Sequence, residues 1–592
     1  MKCIGKNPYF RKENASAATR RHGPAGVVAL LLAASLAACG GGGGSSANGD
    51  GGGGGDDGGN SPSVFSVTST TPDEGESGVE LDVTLTANFN RDLLASSVSR
   101  IELEKSSGTG SVGVPVSVSV DTASSVNIQP DAPLDILSEY TATATTDIAD
   151  SRGNPLSEAF SWRFVTRDGD WQKESLIGEG EQPDVAADPM GNIWMVWLEE
   201  HFHHGTIEVA GRYYNATDGS NGPRLAFRSD VLSDADMPRI AVDRAGNAIV
   251  AWIQNDAVYA RHWEAGSAVD VNGWSAVEKI SGSAPVYSGA RGAALHIEFR
   301  SINSARAVWI EQGSDGPVLA SNNYWAPNGD WNGPLSGPEL DVERLRSPFS
   351  DFAVDNNGNA AVIWISEEEP TLAEADNRVY VARYDAESNN WINTPIETDP
   401  HLMKGEAQEP RIVFDNEGNA FAAWWRESDD FSGRVYVSRY DADSGAWSDS
   451  TRIMGARHDS GGRFPSLAVD PEGNAMVTFE LGELYVASYR ADGEEWSDAQ
   501  QIGDYAGIAK SEIAFDGDGN ATVIWTKREG TATNLFANRY AAATDSWGTE
   551  KRIEKGGGGS AQRPVIDSLW EGGAVIVWED TGYVYTNHFS AE

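Results

Sequence analysis

One short pattern, PRIVFDNEGNAFAAW from Pro410 to Trp424, recurs along the C-terminal two-thirds of the chain and commits that region to a modular architecture. Copies run from 183 to 197 (PDVAADPMGNIWMVW), 238 to 252 (PRIAVDRAGNAIVAW), 350 to 364 (SDFAVDNNGNAAVIW), 465 to 479 (PSLAVDPEGNAMVTF) and 511 to 525 (SEIAFDGDGNATVIW). Two worn copies end at Trp309 and Trp578.

Each copy reads as a hairpin. Arg411 and Val413 alternate with Ile412 and Phe414, as in a half-buried strand. The D-x-x-G-N turn that follows offers Asp415 as an acceptor for turn amides and Gly418 for a positive φ. A second strand, Ala420 to Trp424, comes next. A third is marked by Val435 to Tyr440 and its echoes at 379 to 384, 484 to 489 and 535 to 540. A fourth is marked by Trp and Ile six residues apart (Trp274 and Ile280, Trp447 and Ile453, Trp496 and Ile502, Trp547 and Ile553), an even spacing that predicts one shared face.

Four antiparallel strands per repeat, with landmarks 46 to 60 residues apart, form the pattern of a propeller blade. Trp197, Trp252, Trp309, Trp364, Trp424, Phe479, Trp525 and Trp578 predict eight blades over 169–592. The ends agree, because Trp171 and Ile177 are a fourth-strand signature without a blade before it, and Val584 to Phe589 is a third strand without a fourth after it. Seven blades is the alternative, since the copy from Leu295 to Trp309 lacks Asp, Gly and Asn in its turn.

The segment 61–168 alternates in short runs separated by Pro, Gly, Asp and Ser, which predicts a β-sandwich. Thr71-Pro72, Phe89, Leu134, Tyr140, Asp150-Ser151-Arg152-Gly153-Asn154-Pro155-Leu156 and Phe164-Val165-Thr166 resemble the bacterial Ig-like domain of S-layer proteins (the SbsA type). That resemblance implies a spacer or adhesion unit. The fold class is therefore all-β, an Ig-like sandwich followed by a propeller.

Residues 1–38 join a basic stretch to the apolar run Val27 to Ala38, the form of a signal peptide. Leu36-Ala37-Ala38-Cys39 resembles the lipobox of bacterial lipoproteins, which implies lipidation at Cys39. Residues 39–60 are nearly all Gly, Ser, Asp and Asn after the cysteine and predict a flexible tether, of span roughly 25 Å. Cys3 and Cys39 are the only cysteines, so no disulfide framework is available to the folded region. The reading is a monomer held to the cell envelope, at the outer membrane, by its lipid. With 88 acidic against 44 basic residues, the surface repels nucleic acid and anionic lipid and suits cationic or neutral ligands.

Chemistry is harder to place. No cofactor is expected. The D-x-x-G-N turns invite calcium, but Asp243-Arg244-Ala245-Gly246-Asn247 has too few oxygens for an ion that wants six to eight, and turn chemistry alone explains the pattern. His201, His203 and His204 cluster without a third ligand type nearby. Sialidases are propellers with an S-x-D-x-G-x-T-W box, whose Asp-to-Trp spacing is shorter than that of Asp243 to Trp252. Arg239 and Arg411 occupy equivalent repeat positions and form no arginine triad in sequence. The A-x-D-x-x-T-G blade signature of quinoprotein dehydrogenases is absent. Two residues past each aromatic landmark the copies diverge, and Glu199, Gln254, Glu311, Arg426, Lys527 and Asp580 are the candidate ligand-binding residues, on the face of the loops between second and third strands. These features favour a non-catalytic binding or scaffolding head for a saccharide or protein partner. The alternative is a sialidase-like hydrolase or lyase of polysaccharides.

Overall fold

The computed structural model describes residues 64–590 apart from 108–109, 201–204, 230–232, 287–294, 315–316, 326–328, 340–350, 368–376, 389, 397–406, 428–432, 454–461, 505–510, 555–558 and 570–571. The expectations for the signal peptide, Cys39, the tether and the histidine cluster lie outside these residues. Among the described residues no helix is long and apolar enough to cross a membrane.

Residues 64–168 form two facing sheets. One joins Val67–Thr71, Leu85–Phe89, Ser125–Pro130 and Val116–Thr122; the other joins Glu76–Val79, Phe160–Thr166, Glu139–Ala144, Ile101–Ser107 and Gly110–Val114. Alternate residues of the central strands close the core, with Leu85, Ile128, Trp162 and Phe164 all fully buried.

Beyond residue 169 the described residues form eight antiparallel sheets in succession. Their first strands are Glu181–Ala187, Ala235–Val242, Leu295–Ser301, Asp351–Val354, Ala407–Phe414, Arg463–Val469, Ser511–Phe515 and Ala561–Ser568. Each first strand touches the next, and Ala561–Ser568 touches Glu181–Ala187. The last sheet draws strands from both ends of the region: Asp170 pairs with Ser590, Trp171 with Phe589 and Ser175 with Thr586. This arrangement is propeller-like.

The turn works as the sequence implies. Asp415 Oδ1 accepts the amides of Glu417 (2.9 Å) and Asn419 (2.8 Å), and Oδ2 accepts Asn419 Nδ2 (2.8 Å). Asn419 Oδ1 then accepts the amide of Ala442, tying the first hairpin to the turn after the third strand. Gly418 has φ +87°, a conformation that costs a side-chain-bearing residue about 1 kcal/mol or more. Landmark aromatics pack between sheets and stack on the third strand of their own sheet, as Trp252 does on Tyr259 and Trp578 on Tyr585. Even the worn copy makes a full sheet, Leu295–Ser301, Ser304–Gln312 and Pro317–Trp325 with two short outer pieces.

The fourth strand departs from expectation. In most sheets it is broken into two pieces, such as Ala446–Trp447 and Thr451–Arg452, and the break reverses the parity, while the fourth sheet keeps it whole as Asn390–Pro395. Trp447 packs against the core it shares with the preceding sheet and Ile453 is buried in the core shared with the following one. Trp496 and Ile502 divide in the same way. Each Trp-Ile pair therefore bridges two inter-sheet cores, where an unbroken strand would have placed both on one.

The Ig-like module is bonded to the repeats. Lys105 reaches Asp135 of its own module at 2.8 Å and Asp518 of the seventh sheet at 2.7 Å. Arg539, almost fully buried, donates to Thr522 Oγ1 (2.6 Å), the Gly572 carbonyl (2.9 Å) and Asp168 Oδ1 (3.1 Å), with its guanidinium over the Phe589 ring.

Candidate functional site

Each first strand stands at the edge of its sheet, and its outward amide and carbonyl groups have no ladder partner. Such groups are costly if left unsatisfied. Polar side chains facing the axis from the neighbouring first strand supply the missing partners. Asp184 Oδ2 accepts the amide of Ile240 (2.9 Å), and Asp351 Oδ2 accepts that of Ile412 (3.0 Å). Glu298 Oε2 accepts the amide of Val354 (3.0 Å), and Asp567 Oδ2 that of Ala187 (2.8 Å). Arg239 Nε donates to the Leu295 carbonyl (3.1 Å).

These residues stand four or two positions before the turn position that Asp fills in the full copies (Arg300 and Leu569 in the worn ones), so they share one parity, while the residue between them (Val185, Ile240, Ile412, Ile513) is buried in an inter-sheet core. Arg411 and Glu512, two sheets apart, meet at 3.1 Å. Ser466 of the intervening sheet is small enough to let them touch, and its hydroxyl donates to Glu512 at 3.3 Å. Asp184, Arg239, Glu298, Asp351, Arg411, Glu512 and Asp567 all keep partial exposure although protein surrounds them, as groups lining a narrow axial lumen would.

Enclosure sets their protonation. Burial raises the carboxyls of Asp184 and Asp351, opposed by Arg239 and Arg411 respectively. Burial pushes Asp567 up to about 6. Glu298 is pushed up to about 8 by burial, with the negative charge of Asp351 adding to the effect. Arg411 is held charged by Glu512 above all. At neutral pH the lumen therefore holds a protonated carboxyl, Glu298, within electrostatic reach of a second carboxyl, Asp351. A pair of neighbouring carboxyls of which one keeps its proton at neutral pH is an arrangement used in general acid–base catalysis. At the turn side of the ring a cavity of about 250 Å³ is lined by Phe414, Asp470, Phe515, Asp516, Ser568 and Arg244, among others.

The six residues expected to bind ligand do not converge. Glu199, Gln254 and Glu311 each accept a hydrogen bond from the indole of the landmark Trp two residues before them, at 3.2, 3.2 and 2.9 Å. Two positions along a strand put both side chains on one face, so the divergent position sits beside the aromatic and serves it. Glu199 also pairs with Arg224 at 2.8 Å. Arg426 is buried. Lys527 pairs with Glu550 at 2.7 Å, and Asp580 accepts the amide of Ser560 at 2.8 Å. Much of the loop face between second and third strands falls outside the described residues. Among the described residues no three His, Cys, Asp or Glu side chains are grouped to hold a metal; the turn aspartates spend their oxygens on their own turns.

The lumen residues were missed because their equivalence in the repeat was read as structural. The signal was the variation four residues before the first turn position, filled by Asp in the full copies, where Asp184, Arg239, His296, Asp351, Arg411, Ser466, Glu512 and Val565 stand.

Residues 62–166 match the model of the bacterial Ig-like domain. No curated protein matches the chain. Among solved structures it is similar to a polysaccharide lyase (11% identity over 68% of this chain and 88% of the other, TM-score 0.36). It is similar to the β-propeller domain of the Trilobed protease from Pyrococcus furiosus (11%, 65% and 97%, 0.36). It is also similar to an α-L-arabinanase from Penicillium chrysogenum (11%, 55% and 100%, 0.33). The expectation that the chain is more likely not an enzyme is corrected: the solved structures it is similar to include several enzymes that act on polysaccharides.

Proposed function

We propose that residues 169–592 form an eight-bladed propeller closed by the pairing of Asp170–Trp171 and Ser175–Glu179 with Tyr583–Ser590, and that it hydrolyses a polysaccharide with acid–base chemistry at its axis. Support for the blade count comes from the complete sheet made by the worn third copy. The observation that carries the activity is the pair of enclosed carboxyls at the axis: Glu298, pushed up to about 8 by burial, retains its proton at neutral pH and donates it to a leaving oxygen, while Asp351, whose upward shift by burial is opposed by Arg411, takes the base or charge-stabilising role. Hydrolysis is favoured over lyase chemistry by charge. A lyase substrate is a polyuronate, which a chain of net charge −44 repels. The lumen arginines are also occupied, Arg411 by Glu512 and Arg239 by backbone carbonyls. The whole is an envelope lipoprotein anchored through Cys39, with the tether and Ig-like module between lipid and propeller.

The test is release of reducing ends from neutral glucans, arabinans and galactans, with unsaturated uronate release from polyuronates as the lyase control. Hydrolysis of a neutral chain that falls by about 100-fold or more in Glu298→Gln is the expected result. Reducing ends from none of these polymers, or undiminished rates in Glu298→Gln, would refute the assignment. Labelling with a radioactive fatty acid in wild type and Cys39→Ala tests the anchor, which fails if both label equally.

A further inference from the structure

Between the Ig-like module and the sixth and seventh sheets lies a cleft of about 240 Å³. It opens beside the D-x-x-G-N turns, away from the loops between second and third strands. One wall is Ser106 and Leu137 to Glu139 of the module; the other includes Glu472, Asp518, Met476, Tyr489, Arg490 and Tyr540 of the repeats. Its size is below the roughly 300–1,000 Å³ of sites for drug-sized molecules, and leaves room for one sugar-sized unit.

The charges that line it are matched inside the protein, with one exception. Asp518 pairs with Lys105 at 2.7 Å. Arg490 pairs with Asp545 at 2.6 Å and lies 3.3 Å from the Tyr540 hydroxyl. Asp470 accepts two amides of its turn and Asn474 Nδ2. Glu139 accepts the Ser106 hydroxyl at 3.0 Å. The carboxyl of Glu472 makes no hydrogen bond or ion pair with any other described residue, and within the protein meets only its own backbone amide. It is half-buried, flanked by Asp470 and Asp518, and its ordinary acidity is weakened by burial first and by those two charges second.

One unmatched carboxyl against tyrosine and methionine side chains discriminates sharply among ligands. An anion meets repulsion from Glu472, Asp470 and Asp518. A bare divalent cation lacks the six to eight oxygens it needs, because the other carboxylates are already bonded. An ammonium group on a compact body fits: its charge meets Glu472, the body packs on Tyr489, Tyr540 and Met476, and hydroxyls find Ser106 and Ser488. We propose that this interdomain cleft is a binding site for a hexosamine unit with a free ammonium group, separate from the axial lumen and formed only when the Ig-like module is docked on the repeats. The module then supplies half of a binding site.

Titration calorimetry of the full chain with glucosamine, using glucose as the neutral control, tests this. Glucosamine is expected to bind saturably at one site, glucose at least tenfold more weakly, and Glu472→Gln to weaken glucosamine by tenfold or more. Because the Glu472 carboxyl meets only its own backbone amide, which the Gln side-chain oxygen can also accept, that variant is expected to keep the wild-type unfolding temperature, which is measured alongside. No glucosamine binding, equal binding of glucose, or equal binding by Glu472→Gln would each overturn the proposal. Binding does not depend on turnover, so this result stands or falls apart from the hydrolase assignment.

Discussion

Replacing Glu298 by Gln should stabilise the fold, and by an amount that grows with pH. Glu298 ionises at about 8 in the folded chain against an ordinary 4.5. Below pH 4.5 the carboxyl is protonated whether the chain is folded or not, and the wild type resembles the amide. Between 4.5 and 8 the unfolded chain has lost the proton and the folded chain keeps it, so wild-type stability falls by up to roughly 1.4 kcal/mol for each pH unit. Above 8 both are ionised and the penalty is constant, near 5 kcal/mol as an upper bound. Partial solvation in the lumen reduces this, and about 2–3 kcal/mol is the expected difference at pH 8. The amide oxygen of Gln can still accept the Val354 amide, so the edge-strand bond is retained. The assay is thermal unfolding of both proteins from pH 4.5 to 9. The variant should melt a few degrees above wild type at pH 8 and level with it at pH 4.5. Asp184, Asp351 and Asp567 titrate in both proteins and cancel in the comparison to first order. A difference that is independent of pH, or that favours the wild type at pH 8, would refute the reasoning.

Two buried arginines should respond in opposite directions. Arg539→Met leaves Asp168 and Asp516 without their cation in an enclosed site, and a loss of about 3–5 kcal/mol is expected in equilibrium unfolding; a loss under about 1 kcal/mol would contradict it. Arg306 is also fully buried, with its guanidinium 3.5 Å from the Tyr384 ring centre and none of its nitrogens hydrogen-bonded. Arg306→Met gives up a cation–π contact of about 2 kcal/mol and removes a larger burial penalty, so a net gain of about 1–3 kcal/mol is expected and a clear loss would count against it.

The contrast between these two arginines shows where sequence is informative. Hairpin turns are local: Asp415, Gly418 and Asn419 carry their geometry within five residues, and every full copy spells it out. The broken fourth strand was not legible, because the Trp447 to Ile453 spacing has the same parity count whether or not the strand continues between them. Arg306 and Thr522 hold the same place in their repeats, yet one carries the charge itself and the other accepts a bond from Arg539 across the ladder. Only the three-dimensional neighbours tell them apart.

The axial site was hidden by an inference that symmetry reverses. Arg239 and Arg411 were set aside because they occupy the same position in different copies. In a linear array equivalent positions lie far apart, and repetition does argue for a structural role. In a ring they point at one axis, so a position that recurs in the first strand is the one most able to converge. Variation there, among Asp, Arg, His, Ser, Glu and Val, carries a different meaning from variation two residues past the landmark Trp, where Glu199, Gln254 and Glu311 differ in type and still receive the same indole hydrogen bond. The structural need at the axis is for partners to edge-strand amides, which any carboxylate meets. That need does not account for Glu298 standing two residues nearer the turn than Asp351, where most copies have Ala or Val and where burial keeps a proton on it at neutral pH. A group that costs stability at neutral pH, and whose structural bond an amide would make as well, is better explained by its proton than by its hydrogen bond.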